Sequence, residues 1–206
     1  SWKLPVKHEF CPLLMDVIRD LKSLGRDEVD PDHIWHYALH VEDHEFEFLS
    51  HTATACCAWD NKQEFQPKNK SGSYSMGQFK AGFTRLDWQK PGKTLTSGSS
   101  SLSNTYSIHP GRLLCSGLYS DARVLSILEL LRITGAKDDF LDPLIPKGTT
   151  PDDFPGLTFG PDKRLAPKDE IFIRTVIGEQ VCPKMMNALF STMPIDKVES
   201  ESEAES

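Results

Sequence analysis

The sequence predicts an α+β fold: one mixed globular domain over residues 1–193, built from amphipathic helices, a small sheet and long irregular Pro-rich and Ser/Gly-rich loops, then a disordered acidic C-terminal tail over 194–206. Three observations predict it. Apolar residues recur at helical spacing in some segments and at a period of two in others, and no strict strand–helix alternation or internal repeat orders them, which disfavours doubly wound and solenoid folds. A length of 206 residues suits one sizeable core, and 38% hydrophobic with 26% charged residues is an ordinary balance for a folded chain.

From Pro12 to Leu24 the residues Leu13, Leu14, Val17, Ile18, Leu21 and Leu24 fall on one helical face, with Gly25 as a stop. A second helix is expected to start at Asp30-Pro31, an acidic cap followed by proline at the first helical position. The pattern from His33 to Asp43 also fits a helix, but His44 to Phe48 alternates charged and aromatic residues and favours a strand. Asn61 to Ser75 reads as an exposed loop, Phe79 to Trp88 as a second strand, and Lys90 to Ser103 as a loop too polar to offset its ordering entropy. The strongest helix follows, capped by Ser120 or Asp121, carrying Val124, Leu125, Ile127, Leu128, Leu131 and Ile133, and stopped at Gly135. Six prolines between Ala136 and Lys168 exclude regular ladders there. Ile171 to Ile177, rich in β-branched residues, is expected to be a strand, Lys184 to Thr192 a short helix, and the tail beyond Pro194, with five acids and one lysine, disordered.

Charge is divided along the chain, whose net value is −7. Asp16 to Asp60 holds eleven acids against three bases, whereas Lys62 to Lys93 holds seven bases against two acids. In the second block Lys62, Lys68, Lys70, Lys80, Arg85, Lys90 and Lys93 are interleaved with aromatics that include Tyr74 and Trp88. Cations that release counterions from phosphate, beside rings that stack on bases, make a groove for single-stranded nucleic acid. The same split also suits self-association, with the acidic face of one copy meeting the basic segment of another.

Five of the seven histidines lie between His33 and His51. On a continuous helix His36, His40 and His44 would project from one face and could hold zinc or iron. Pro91-Gly92-Lys93-Thr94 has the end of a phosphate-binding loop, but Asp87 stands where its first glycine belongs, so it reads as an exposed turn. No GxSxG, GxGxxG or HExxH motif occurs. Cys11, Cys56, Cys57, Cys115 and Cys182 match neither a disulfide framework nor a zinc knuckle and are expected to be buried free thiols, with Cys115 reactive only if it begins a helix beside His109.

These readings lead to a non-enzymatic structural or nucleoprotein-like subunit. It would self-assemble into homo-oligomers or bind another protein, with single-stranded nucleic acid as a further partner and no cofactor. The alternative is a metal-dependent enzyme built on His36, His40 and His44. No apolar run is long enough to span a bilayer and no signal peptide is visible, so the expected setting is an intracellular, reducing compartment, cytoplasm or nucleus.

Overall fold

Ser126 begins the central helix because its side chain and that of Glu129 satisfy each other's backbone. Glu129 N–H donates to Ser126 Oγ at 3.2 Å, and Ser126 N–H donates to Glu129 Oε2 at 2.7 Å. The computed structural model describes residues 12–68, 82–95, 98–103, 107–135 and 150–179. They contain four α-helices: α1 (Leu14–Ile18), α2 (Asp43–Ser50), α3 (Ile127–Ile133) and α4 (Pro167–Glu179), joined by turns and three short 3₁₀ segments.

The expected small sheet is absent among the described residues, so the α+β reading is corrected to helices and irregular chain. Pairing occurs only as isolated bridges, including Cys57 with Thr84, Arg85 with Ile108 and Ile108 with Val124. The left-handed backbone at Phe83 (φ 56°) and Asp121 (φ 49°) interrupts the extended runs on either side of these bridges, so no ladder propagates. Ala58, Arg85 and Leu86 N–H groups still find carbonyl partners, on Phe83, Cys56 and Ile108 respectively.

Two expected strands are helical. His44 to Phe48 lies in α2, where Phe48 and Leu49 enter the core beside Val41, Ala58, Ile108 and Val124. Ile171 to Ile177 lies in α4, where proline at the first position, Asp169 and Glu170 in the first turn, and the Glu170–Arg174 pair four residues apart outweigh β-branched propensity. Two expected helices shrink or vanish. The Pro12–Leu24 stripe is helical only over α1, although Leu21 and Leu24 stay buried, and Asp30 closes a turn through its Oδ1 to Asp32 N–H at 2.9 Å. The strongest predicted helix exists, but starts at Ser126 rather than at Ser120 or Asp121, and ends by Gly135 at φ +81°. The expected helix over Lys184–Thr192 and the acidic tail lie outside the described residues.

The larger core cluster joins α1 and α3 through Leu14, Ile18, Ile127, Leu128 and Leu130, with Trp35, Tyr37 and Ile177 completing it. No described helix is long and apolar enough to cross a membrane. Cys56 and Cys115 are exposed and Cys57 is half-buried, correcting the buried-thiol expectation; Cys11 and Cys182 lie outside the described residues.

Candidate functional site

Between the two clusters runs a buried ionic frame. The Arg123 guanidinium donates to Glu129 Oε2 at 2.8 Å, Glu129 Oε1 at 2.9 Å and Asp121 Oδ1 at 2.8 Å. Asp121 also accepts from Ser23 Oγ, Leu24 N–H and Ser120 Oγ, tying the chain after α1 to the approach to α3. Burial alone would raise both carboxyls. At Glu129 the Arg123 charge outweighs it and holds the carboxyl at about 2, while His109, then Arg123 and the Ser23 and Ser120 hydroxyls, hold Asp121 well below the usual carboxylate range.

His109 sits against this frame, 2% exposed, with Nε2 3.5 Å from Glu129 Oε1. Gly111 N–H donates to His109 Nδ1 at 3.0 Å, so the ring carries its proton on Nε2 and is neutral. Burial pushes its pKa down to about 4. Arg85 braces the same region through the carbonyls of His109, Asp121 and Leu49 at 2.9, 3.1 and 2.9 Å. A Cβ on Gly111, which has φ +72°, would stand 2.3 Å from Arg85 Nη1. Gly111→Ala is therefore expected to lower unfolding free energy by more than about 1 kcal/mol in a urea titration, from backbone strain and displacement of Arg85.

The frame supports a surface turn. Trp88 Nε1–H donates to Gly111 O at 2.7 Å, its ring meets His109 edge-on at 5.3 Å, and Arg112 lies over its face at 5.6 Å. Ser120 N–H donates to Arg112 O, Arg112 N–H donates to Ser120 Oγ, and Tyr119 N–H reaches Ser50 O, so the turn 113–118 leaves the body from a fixed base.

Among the described members of the predicted contact set, two are taken up by the fold itself. Arg85 is buried and serves the core, and Trp88 spends its indole N–H on Gly111. Lys62 O accepts from the N–H of Phe65, whose ring stacks on His51, and Lys68 Nζ donates to Glu64 O. Lys90 and Lys93 are exposed on a segment held to α1 by Leu14 N–H on Lys90 O, and Lys90 also pairs with Asp87 at 3.2 Å. Lys70, Tyr74 and Lys80 lie outside the described residues.

The metal reading is corrected as well. His36 is buried, its Nε2–H donating to Lys22 O at 2.8 Å and its Nδ1 accepting from the Ser126 hydroxyl at 2.9 Å. His40 faces Asp27, and His44 stands on α2. The three share no helix, and no group of three ligating side chains suited to a metal occurs among the described residues. Cys115 sits on the exposed turn rather than at a helix start, apart from buried His109.

A cleft of about 640 Å³ opens elsewhere, lined by Leu39, His40, Phe159, Arg164, Glu170 and Ile171. Its charged groups already have partners. Glu170 accepts from the Tyr37 hydroxyl and Arg174 Nε, each at 2.8 Å, and Arg164 and His40 meet at Asp27. Ile171, Phe172 and Val176 of α4 are exposed.

No protein-family model matches the chain. The chain is similar to a Type II methyltransferase, M1.HgaI of Avibacterium volantium. Identity is 31% over 185 residues, taking in 90% of this chain and 44% of the relative, so the chain spans less than half of that protein's length. Similarity to an enzyme over nearly the whole chain overturns the reading as a non-enzymatic, self-assembling structural subunit. That reading rested on the change of charge sign near residue 61 and on the absence of a complete catalytic motif.

Sequence reasoning missed the ionic frame. Its signal was Asp121, Arg123 and Glu129, charged residues set within the most apolar stretch of the chain, where only mutual pairing permits burial.

Proposed function

We propose that this chain forms the substrate-facing part of a methyltransferase acting on duplex DNA. The observation that carries the reading is its similarity to a Type II methyltransferase over 90% of its length. A charge pattern supports the nucleic-acid side of it. Between Asp87 and Asp121 there is no acidic residue, in a chain with 30 of them, while Lys90, Lys93 and Arg112 are present. Much of this acid-free stretch is surface, including 89–94 and 113–117. A stretch that contributes no carboxylates of its own adds no like-charge repulsion towards a polyanion, and exposed cations on it can release counterions from phosphate.

The methyl donor is given no seat here. The polar groups of the 640 Å³ cleft are engaged with one another, and the ionic frame is closed to solvent, so no transfer step is assigned to a described residue. What these residues do is hold a surface: Arg123, Glu129 and Asp121 fix the chain on both sides of Gly111, and Trp88 and Arg112 extend that order outward.

Fluorescence anisotropy with a labelled DNA duplex tests the reading. The chain is expected to bind at about 50 mM salt and to weaken steeply by about 200 mM, with Lys93→Ala lowering the slope of log affinity against log salt by about 1. Absence of duplex binding at the lower salt would overturn the reading.

A further inference from the structure

Resting on the reading as a DNA-directed methyltransferase part, we infer that Leu113 and Leu114 form an apolar wedge that enters the base stack of bound duplex DNA. Leu113 is 66% exposed and Leu114 46%, the only large exposed apolar residues among the described residues outside α4. They stand on a tight turn whose arms are pinned together: Leu113 bridges to Tyr119, Leu114 N–H donates to Leu118 O at 2.8 Å, and Gly117 N–H donates to Leu114 O at 2.9 Å. Gly117 takes φ +81° at the bend, with no atom near its open side.

The turn that carries these leucines is held at its base by Ser120 N–H on Arg112 O at 2.9 Å. Arg112, immediately before them, lies over Trp88, donates to Arg19 O at 3.0 Å and stands 4.0 Å from the Asp121 carboxylate, which fixes a guanidinium at the foot of the turn. Proteins that kink DNA place apolar wedges of this kind between base steps, beside cations that hold the phosphates. A protein partner fits the feature less well. Stable interfaces engage some 20–30 residues a side, whereas the exposed tip runs only over 113–117. The tip also lies within the acid-free stretch between Asp87 and Asp121, which favours a polyanionic partner.

The test uses the full chain and duplexes carrying 2-aminopurine, whose fluorescence rises when a neighbouring base unstacks. Wild-type binding should raise the emission severalfold for a subset of 2-aminopurine positions. The double variant Leu113→Ser/Leu114→Ser should lose that rise and bind about tenfold more weakly. Lys93→Ala should bind more weakly yet keep the rise at saturation. Because both leucines are exposed, the double variant should keep the wild-type thermal transition. Duplex binding without any emission change, or equal affinity of the double variant, overturns the wedge while leaving the DNA reading intact. No duplex binding at all overturns both. A wild-type dimer that the double variant converts to monomer, read from mass in solution, overturns the wedge in favour of a contact between copies.

Discussion

Arg123→Ala is expected to lower the unfolding free energy by about 3–5 kcal/mol, read from urea denaturation with the slope held constant. Arg123 is fully enclosed, and its removal leaves Glu129 as a buried carboxylate without its cation and Asp121 with only Arg112 at 4.0 Å. The start of α3 should suffer too, since Glu129 also holds the Ser126 N–H. An exposed ion pair gives the comparison. Arg26 meets Asp43, which is 92% exposed, and Arg26→Ala should cost under about 1 kcal/mol. Similar losses for the two variants would mean that the frame does not hold the core.

Acid should unfold this chain in a predictable window. His109 has a folded pKa near 4 and His36 is also lowered by burial, each from an ordinary value of 6.5. Below 6.5 the unfolded state binds protons that the folded state refuses, so stability falls as pH drops, by up to about 1.4 kcal/mol per pH unit for each histidine. For His109 this loss runs from 6.5 down to about 4. Glu129 acts in the same direction at lower pH. Its stabilisation is complete above its unfolded value of 4.5 and is lost as pH falls through about 2, and Asp121 follows the same sense. Urea midpoints between pH 7 and 3 should therefore decline continuously. His109→Gln should flatten the upper part of that decline, and an unchanged slope in this variant would remove His109 from the account.

Helical stripes were legible where burial and periodicity agreed. Leu14 and Ile18, and Ile127 with Leu128, follow the helical period and do pack together, whereas Leu130, outside the expected stripe, is buried and the expected Leu131 and Ile133 are half-buried. Legibility failed where tertiary context chose between two local options. The alternation of His44 to Phe48 suits a strand, yet Phe48 and Leu49 find their core only as neighbours on α2. The ionic frame was hidden for another reason. Asp121 meets Ser23 and Leu24 across nearly a hundred residues, a distance that no spacing rule spans. The histidine cluster misled because adjacency in sequence was read as a shared helix, whereas His36 turns inward to Ser126 and His40 outward to Asp27. For the proposed function the sequence offers only a charge pattern, and the feature used is the long absence of acids rather than the count of bases.

Amide hydrogen exchange of the full chain, with and without saturating duplex DNA, tests the central claim most directly. Protection is predicted in peptides covering 89–94 and 113–117, exposed parts of the acid-free stretch that follow Trp88 and Arg112 respectively. Protection confined to α4, around the exposed Ile171, Phe172 and Val176, or an exchange pattern that DNA leaves unchanged, would contradict it.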